Sequence, residues 1–323
     1  MNRTARTVAV VVGGPVLLSV LALAVAFAIR ADLPDPVATH WGTDGPDGFV
    51  PRDQAVYLAL LGLPIGLLVG GLIALLIGRP PGFRRLGAGL GVGTTAFVDL
   101  VVVGSLWVQR GLSDAHDATG LGMVALLAVV GSVAVGLLAA WLTPGALPAP
   151  ARAPIPEDAP RLPLAEGEVG VWSQWVVAGW WVAVVAVLAV GPVVVLAVAG
   201  VIPVGFVAVG VAALVVVGSM AVFRVTVGRR GVVVSAGLGI PRFTVPIDEV
   251  AEAGTTVVEP MKDFQGYGYR ASLDGSYGVV VRGGEALSVR RGDGTTFVIT
   301  VDGAEEAAAL LNTLADRQRA AHA

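Results

Sequence analysis

The sequence predicts an α-helical integral membrane protein with six transmembrane helices, arranged four plus two, followed by a small mainly-β domain capped by a helix. Three observations carry that reading. Hydrophobic residues make up 55% of the chain and charged residues only 14%, against about 25% charged in soluble domains. Six apolar runs reach the length of roughly 20 residues that a bilayer demands. After residue 223 the apolar runs shorten to strand length and alternate with glycine-rich turns.

The six runs cover residues 7–29, 55–78, 86–108, 121–142, 176–199 and 201–223. Backbone polar groups must be paired inside lipid, so each run is expected to be helical. Gly200 and Pro203 interrupt the last pair and predict a tight helical hairpin. Ala26-Phe27-Ala28 would suit a signal peptidase, but the first run is longer than the 7–15 residues of a signal core and reads as a retained span. Arg3, Arg6, Arg79, Arg84, Arg85, Arg152, Arg161, Arg224, Arg229 and Arg230 flank the runs on one side, and Arg30, Arg52 and Arg110 on the other. The positive-inside rule then places both termini in the cytoplasm of a bacterial plasma membrane and turns the 30–54 loop outward. Arginine-dominated basic usage, with Lys262 the single lysine, fits a bacterium with a GC-rich genome.

Within the third run stands Asp99, the intramembrane carboxylate. An acid at that depth is a functional candidate. A bond to a neighbouring helix, near Thr94, Thr95 or Ser105, is the structural alternative. Gly87, Gly89, Gly91 and Gly93 precede it. They do not follow a strand, so they predict close helix packing rather than a nucleotide loop.

The chain divides into a four-helix membrane domain (1–142), a Pro-rich cytoplasmic linker (143–171), a transmembrane hairpin (172–223) and a cytoplasmic β domain (224–323). Seven prolines between Pro144 and Pro163 make the linker an extended, semi-rigid tether. Trp172 and Trp175 are placed as an aromatic belt for the fifth span, with Trp180 and Trp181 deeper. Strands are expected at 223–227, 231–235, 242–247, 254–259, 278–282, 286–290 and 296–301, and an amphipathic helix at 304–319 with Ala308, Leu310, Leu311 and Leu314 inward. This order resembles the bacterial pleckstrin-homology-like domains found behind transmembrane hairpins, which implies a barrel capped by its last helix. The blocks 266–270, 282–287 and 297–302 are similar to those of actinobacterial membrane proteins with such a tail. Headgroup binding is not favoured by the charge total: from residue 224 onward 11 Lys or Arg face 12 Asp or Glu. The stretch 260–276 carries Phe264, Tyr267, Tyr269 and Arg270 and is a candidate interaction loop for a cytoplasmic protein partner.

The outward segment 33–49 is the most polar piece of the membrane half. Pro34 and Pro36 hold its start extended, and Gly42, Gly45-Pro46 and Gly48 make turns. Pro34, His40, Trp41, Gly42, Gly45, Asp47 and Phe49 fall in a pattern that resembles the membrane domain of unknown function 1648, over about residues 10–60. In better-studied proteins that domain occurs in SdpI-type immunity proteins, multi-span proteins that protect a cell from a secreted peptide toxin. The resemblance implies a ligand-binding or structural cap at these residues and an extracellular peptide or envelope component as partner.

The absence of cysteine removes disulfides and thiol chemistry. With His40, His116 and His322 the whole histidine complement, imidazole-rich metal sites are not expected. His40 and His116, with Asp44, Asp47, Asp114 and Asp117, would form an outer metal site only if the two loops converge. A net charge of −3 argues against nucleic acid as a partner. No catalytic triad, carboxylate pair or phosphate loop stands out, so the chain is read as a non-enzymatic membrane protein without cofactor, acting in envelope sensing, immunity or interaction. A small-solute or peptide transporter component is the alternative, resting on Asp99.

Overall fold

The computed structural model describes residues 2–321 apart from 43, 77–81, 146, 166, 180 and 273, and omits the side chains of 75, 76, 181 and 183. Arg79, Trp180 and His322 therefore lie outside the described residues, as does the Trp181 side chain. Two compact units result: Met1–Ala146 with Gly200–Gly205, and Leu147–Ala199 with Phe206–Ala323.

The first unit is a helical bundle. Helices α1 (Arg3–Asp32), α2 (Arg52–Ala74), α3 (Phe83–Trp107) and α4 (Leu121–Leu142) are long and apolar enough to cross a membrane, and the chain is a membrane protein. Helix α1 widens into a π turn at Ala9–Gly13, just before Pro15, whose missing N–H interrupts the regular ladder. Between α1 and α2 the chain forms an antiparallel hairpin, β1 (Val37–Gly42) and β2 (Gly45–Val50).

Helix α3 is the central post, and its glycines explain why. Gly87 and Gly91 face α2, where a Cβ on Gly91 would stand 2.6 Å from the Gly70 Cα and 2.7 Å from the Gly66 carbonyl. Gly89 and Gly93 face α4, where a Cβ on Gly89 would stand 3.0 Å from the Gly136 carbonyl. The facing residues on α2, Gly62, Gly66 and Gly70, recur every fourth position and are buried. Small residues at this spacing let two backbones touch, and dispersion then replaces the hydrophobic effect that lipid cannot supply. The four glycines singled out in the sequence thus serve packing, on two faces.

In the second unit, helices α5 (Trp181–Val198) and α6 (Gly205–Ser219) are apolar but contain 18 and 15 residues. At 1.5 Å per residue they extend about 27 and 22 Å. The expected runs 176–199 and 201–223 are shortened because their β-branched ends become strands. Trp172–Val177 is strand β3 and pairs with β4 (Val222–Gly228). Trp172 and Trp175 accordingly sit on a sheet and not in the helix they were expected to anchor. Strands β5 (Gly231–Ala236) and β6 (Arg242–Pro246) complete a four-stranded antiparallel sheet in the order β3-β4-β5-β6. A second sheet has the order β7-β10-β11-β9-β8, from β7 (Val250–Val258), β8 (Gly268–Ala271), β9 (Ser276–Val280), β10 (Gly284–Arg291) and β11 (Thr296–Thr300), with β9 and β11 parallel.

The expected barrel is corrected here: among the described residues neither sheet closes on itself or on the other through backbone pairing. The edge strands β6 and β8 are instead bridged by side chains, with Phe243 stacked on Tyr269 at 4.3 Å between ring centroids. The capping helix is present as α7 (Ala304–Ala320). It buries Ala308, Leu310, Leu311 and Leu314, and its first N–H groups are accepted by the Glu285 carboxylate, 2.9 Å from the Ala304 nitrogen.

The proline-rich stretch is bound to this unit as a strap. Asn312 on α7, fully buried, accepts from the Ala253 N–H (2.8 Å) and donates to the carbonyls of Ala253 (2.9 Å) and Pro160 (3.0 Å). Thr313 accepts from the Leu162 N–H at 2.9 Å, and Arg161 pairs with Asp316 at 2.8 Å. Further along, Arg317 donates to the Glu168 carbonyl at 2.9 Å. At the other end, the Ala149 N–H donates to Glu249 at 3.1 Å, and Glu249 itself is buried against Arg291. Proline removes donors from the strap, so the remaining N–H and carbonyl groups find side-chain partners.

Two outcomes are expected. Gly91→Ala lowers the thermal unfolding temperature in detergent by the equivalent of about 1–3 kcal/mol, the range for overpacking; Gly71→Ala, whose Cβ would meet nothing within 4 Å, does not. Asn312→Ala leaves buried strand and strap groups unpaired, at about 1–3 kcal/mol per group. Limited proteolysis of that variant is expected to cut within 149–165 well before the wild type is cut.

Candidate functional site

The hairpin is fastened to the helix ends by groups that address its backbone. Gln109, just past the end of α3, is completely buried. Its Oε1 accepts from the Ala38 N–H at 2.8 Å, and its Nε2 donates to the Ala38 carbonyl at 2.9 Å and to the Ser105 carbonyl at 2.8 Å. The carboxamide thus acts as one more strand residue beside β1, satisfying an edge that would otherwise be buried without partners. Under it lies an apolar cluster of Ala22, Ala26, Ile29, Leu33, Val37, Ala55, Val56, Ala59 and Leu106. Pro34 is buried at its margin.

Ion pairs close the rim. Arg30 pairs with Asp53. Arg110 pairs with Asp32 at 2.8 Å while its guanidinium lies 4.4 Å over the Trp107 ring. Arg52 donates to the Leu33 carbonyl at 3.2 Å. The three arginines on the sparse side of the charge count all hold this cap.

At the hairpin itself, His40 Nδ1 meets Asp47 Oδ1 at 2.5 Å across the two strands, and both side chains are more than half exposed. Two glycines permit the contact. A Cβ on Gly42 would stand 2.5 Å from the Asp47 carboxylate, and one on Gly48 2.7 Å from the His40 Cβ. Gly45 turns the chain at φ +121°. With Nδ1 committed to Asp47, the second ring nitrogen, Nε2, carries any further contact. Trp41 is half-buried, and its Nε1 has no hydrogen-bond partner among the described residues.

The hairpin and the loop 110–120 between α3 and α4 do meet, through Phe49 and His116, whose ring centroids are 4.5 Å apart. They meet as an aromatic contact and not as a ligand set. His116 Nδ1 is engaged with Asp114 at 2.7 Å, as His40 is with Asp47. The His116 backbone N–H, and then its ring, hold the Asp114 carboxyl below the usual carboxylate range. Among the described residues no group of three or more His, Asp or Glu gathers at metal-binding distance.

The other candidates are dispersed. Asp99 is buried and accepts from Ser19 of α1 at 2.9 Å. Its other oxygen abuts Gly62 without hydrogen-bond geometry. The partner is thus Ser19, not Thr94, Thr95 or Ser105; Thr95 donates to the Gly62 and Gly91 carbonyls, and Ser105 to the Val102 carbonyl. In the 260–276 stretch, Phe264 is buried among Val258, Val280, Ala286 and Val298, which corrects its expected role on an exposed loop. Tyr269 belongs to strand β8, stacked on Phe243, and burial pushes its hydroxyl above the ordinary phenol value. Arg270 is exposed and donates to the Tyr267 carbonyl at 2.8 Å.

Sequence reasoning missed Gln109, Ser19, Asn312 and Thr313. A signal was present for two of them. Ser19 is the only polar side chain in residues 8–29, and Gln109 closes an apolar helix next to a conspicuous arginine. A buried polar group needs a partner, which makes each such residue a marker of a tertiary contact.

Gln109→Leu keeps the side-chain volume but leaves the Ala38 N–H and carbonyl unpaired. It is expected to cost about 2–5 kcal/mol. Thermal unfolding in detergent should show the loss, together with a red shift of fluorescence as Trp41 becomes solvated.

Against known families, residues 17–63 match a domain of unknown function, DUF1648, a span from the middle of α1 through the hairpin to the middle of α2. The resemblance expected over residues 10–60 therefore lies where the hairpin is. No curated protein and no solved structure matches the chain.

Proposed function

We propose that this is a six-span protein of the bacterial plasma membrane that works by recognition and not by catalysis. Both termini are cytoplasmic. The β1–β2 hairpin is its outer recognition element, for a secreted peptide or an envelope component, in the manner of the SdpI-type immunity proteins it resembles. The C-terminal unit, similar to pleckstrin-homology-like domains, is the cytoplasmic module that engages a protein partner.

The observation that carries this reading is how the hairpin is held. Its attachment uses Ala38 backbone groups, the buried Gln109 and the rim ion pairs. Its tip spends nothing on that attachment: His40, Asp44 and Asp47 are exposed. A rigid base with polar groups presented beyond it is the layout of a binding loop on a scaffold. The membrane hairpin is supported by the β3–β4 ladder. The Val177–Val222 pair brings the start of α5 beside the end of α6, and a Cβ on Gly210 of α6 would stand 3.1 Å from Val190 of α5. Helices of this length cross with local thinning of the bilayer.

A chain without cysteine allows a background-free test. A single cysteine at Asp44→Cys is expected to react with a membrane-impermeant maleimide on intact cells, and one at Asp302→Cys only after permeabilisation. Labelling of both from the same side would overturn the topology. A photoreactive residue at position 44 is expected to give an envelope or peptide adduct that His40→Ala abolishes; cross-links to lipid alone would sink the recognition reading.

A further inference from the structure

The charge total of the C-terminal unit conceals a separation of charge. Some of its arginines are held in ion pairs, Arg291 with Glu249, Arg290 with Glu252, Arg282 with Asp302 and Arg161 with Asp316. Four others gather on the outer face of the four-stranded sheet. There Arg224, Arg229, Arg230 and Arg242, with Thr226 and Ser235, line a cleft of about 500 Å³ that has no Asp or Glu in its wall. Among the described residues none of the four arginines has a carboxylate within ion-pair distance. Glu168 lies in a neighbouring hollow with Arg229, but accepts from the Ala165 N–H at 2.8 Å.

Strand register builds the cleft. Trp175, Arg224, Ser235 and Arg242 stand opposite one another in a single row across β3, β4, β5 and β6. The alternation that buries Phe223, Val225 and Val227 turns Arg224 and Thr226 outward. Arg224 is steadied by Ser173, to which its Nε donates at 3.1 Å, and by the Trp175 ring at 5.7 Å. The second pair, Arg229 and Arg230, occupies the β4–β5 turn, about 13 Å along the strand at 3.3 Å per residue. Two arginines flanking a serine in one row of a cleft supply the donors that suit the oxygens of a phosphate, which arginine binds through paired hydrogen bonds.

The position of the Arg224–Arg242 row indicates where the phosphate comes from. This is the end of the sheet that joins α5 and α6. The Gly237 N–H, in the β5–β6 turn, donates to the carbonyl of Ser219, the last residue of α6, at 2.9 Å. In the same turn Leu238 and Ile240 are 66% and 79% exposed, with Trp175 and Val177 also exposed nearby. Apolar side chains beside arginines, at the foot of apolar helices, suit the boundary between acyl chains and headgroups.

We propose that this cleft binds a phosphate group, and that the group belongs to an anionic phospholipid at the membrane face. The lipid source rests on reading α5 and α6 as membrane helices; the phosphate chemistry does not. The test uses the full chain in neutral maltoside micelles, titrated calorimetrically with dioctanoyl phosphatidylglycerol, dioctanoyl phosphatidylcholine, inorganic phosphate and pyrophosphate. Phosphatidylglycerol is expected to bind, the zwitterionic lipid and free phosphate far more weakly. Arg224→Gln with Arg242→Gln should weaken that binding roughly 25-fold, about fivefold for each arginine at a membrane surface, while Arg270→Gln leaves it unchanged. Ser235→Asp, which puts a carboxylate between the two arginines, gives the same loss by a second route should the double variant misfold. Free phosphate or pyrophosphate binding as tightly as the lipid, with the same dependence on the variants, would uphold the anion site and overturn the lipid source. Binding that none of the variants changes, an equal loss in Arg270→Gln, or no binding by any probe would overturn the proposal.

Discussion

Helix α3 can lie at backbone distance from two neighbours at once, and the first unit is organised around that contact. Lipid offers no hydrophobic reward for helix association, so stability there comes from surfaces that meet without gaps. Glycines on alternate positions give α3 two such surfaces, one against Gly66 and Gly70 and one against Gly136. The close fit has local consequences. It brings Asp99 against Gly62 while Ser19 of α1 supplies the hydrogen bond, and it fixes the end of α3 where Gln109 reaches Ala38. The hairpin's position is a result of helix packing about 15 Å below it, at 1.5 Å per residue from Asp99 to Gln109.

The second unit solves a related problem with different materials. A proline-rich segment has few donors and many carbonyls, and it cannot join a sheet ladder. Polar positions on α7 take it up. Asn312 and Thr313 bond to strap and strand backbone, and Arg317 to strap carbonyls. In both units a carboxamide, Gln109 or Asn312, supplies an acceptor and a donor to one residue of a strand, Ala38 or Ala253. Each is fully buried, and each ties segments far apart in sequence.

Much of this was legible before any coordinates. Short β-rich runs bounded by glycine turns located seven strands within a few residues. The α7 face was readable from its 3.6-residue period. Failures occurred where a residue's role depends on something distant. Trp172–Val177 looks like the start of a membrane helix because Val and Trp suit both lipid and a sheet, and only pairing with β4 decides between them. Phe264 reads as a loop aromatic until its core neighbours from β7, β9, β10 and β11 are known. At the candidate site, Gly42, Gly45 and Gly48 announce a tight hairpin, and His40 and Asp47 fall within it. The clamp by Gln109 links residues 71 positions apart and leaves no local trace.

That clamp has a consequence for how the hairpin can change. Gln109 grips the N–H and the carbonyl of residue 38, groups that every amino acid except proline possesses. Anchorage is therefore indifferent to the identity of the residues displayed beyond it. His40, Asp44 and Asp47 can be exchanged for other side chains while the base stays locked, so the surface this scaffold presents can change through substitutions at its tip alone, without refashioning the bundle that carries it.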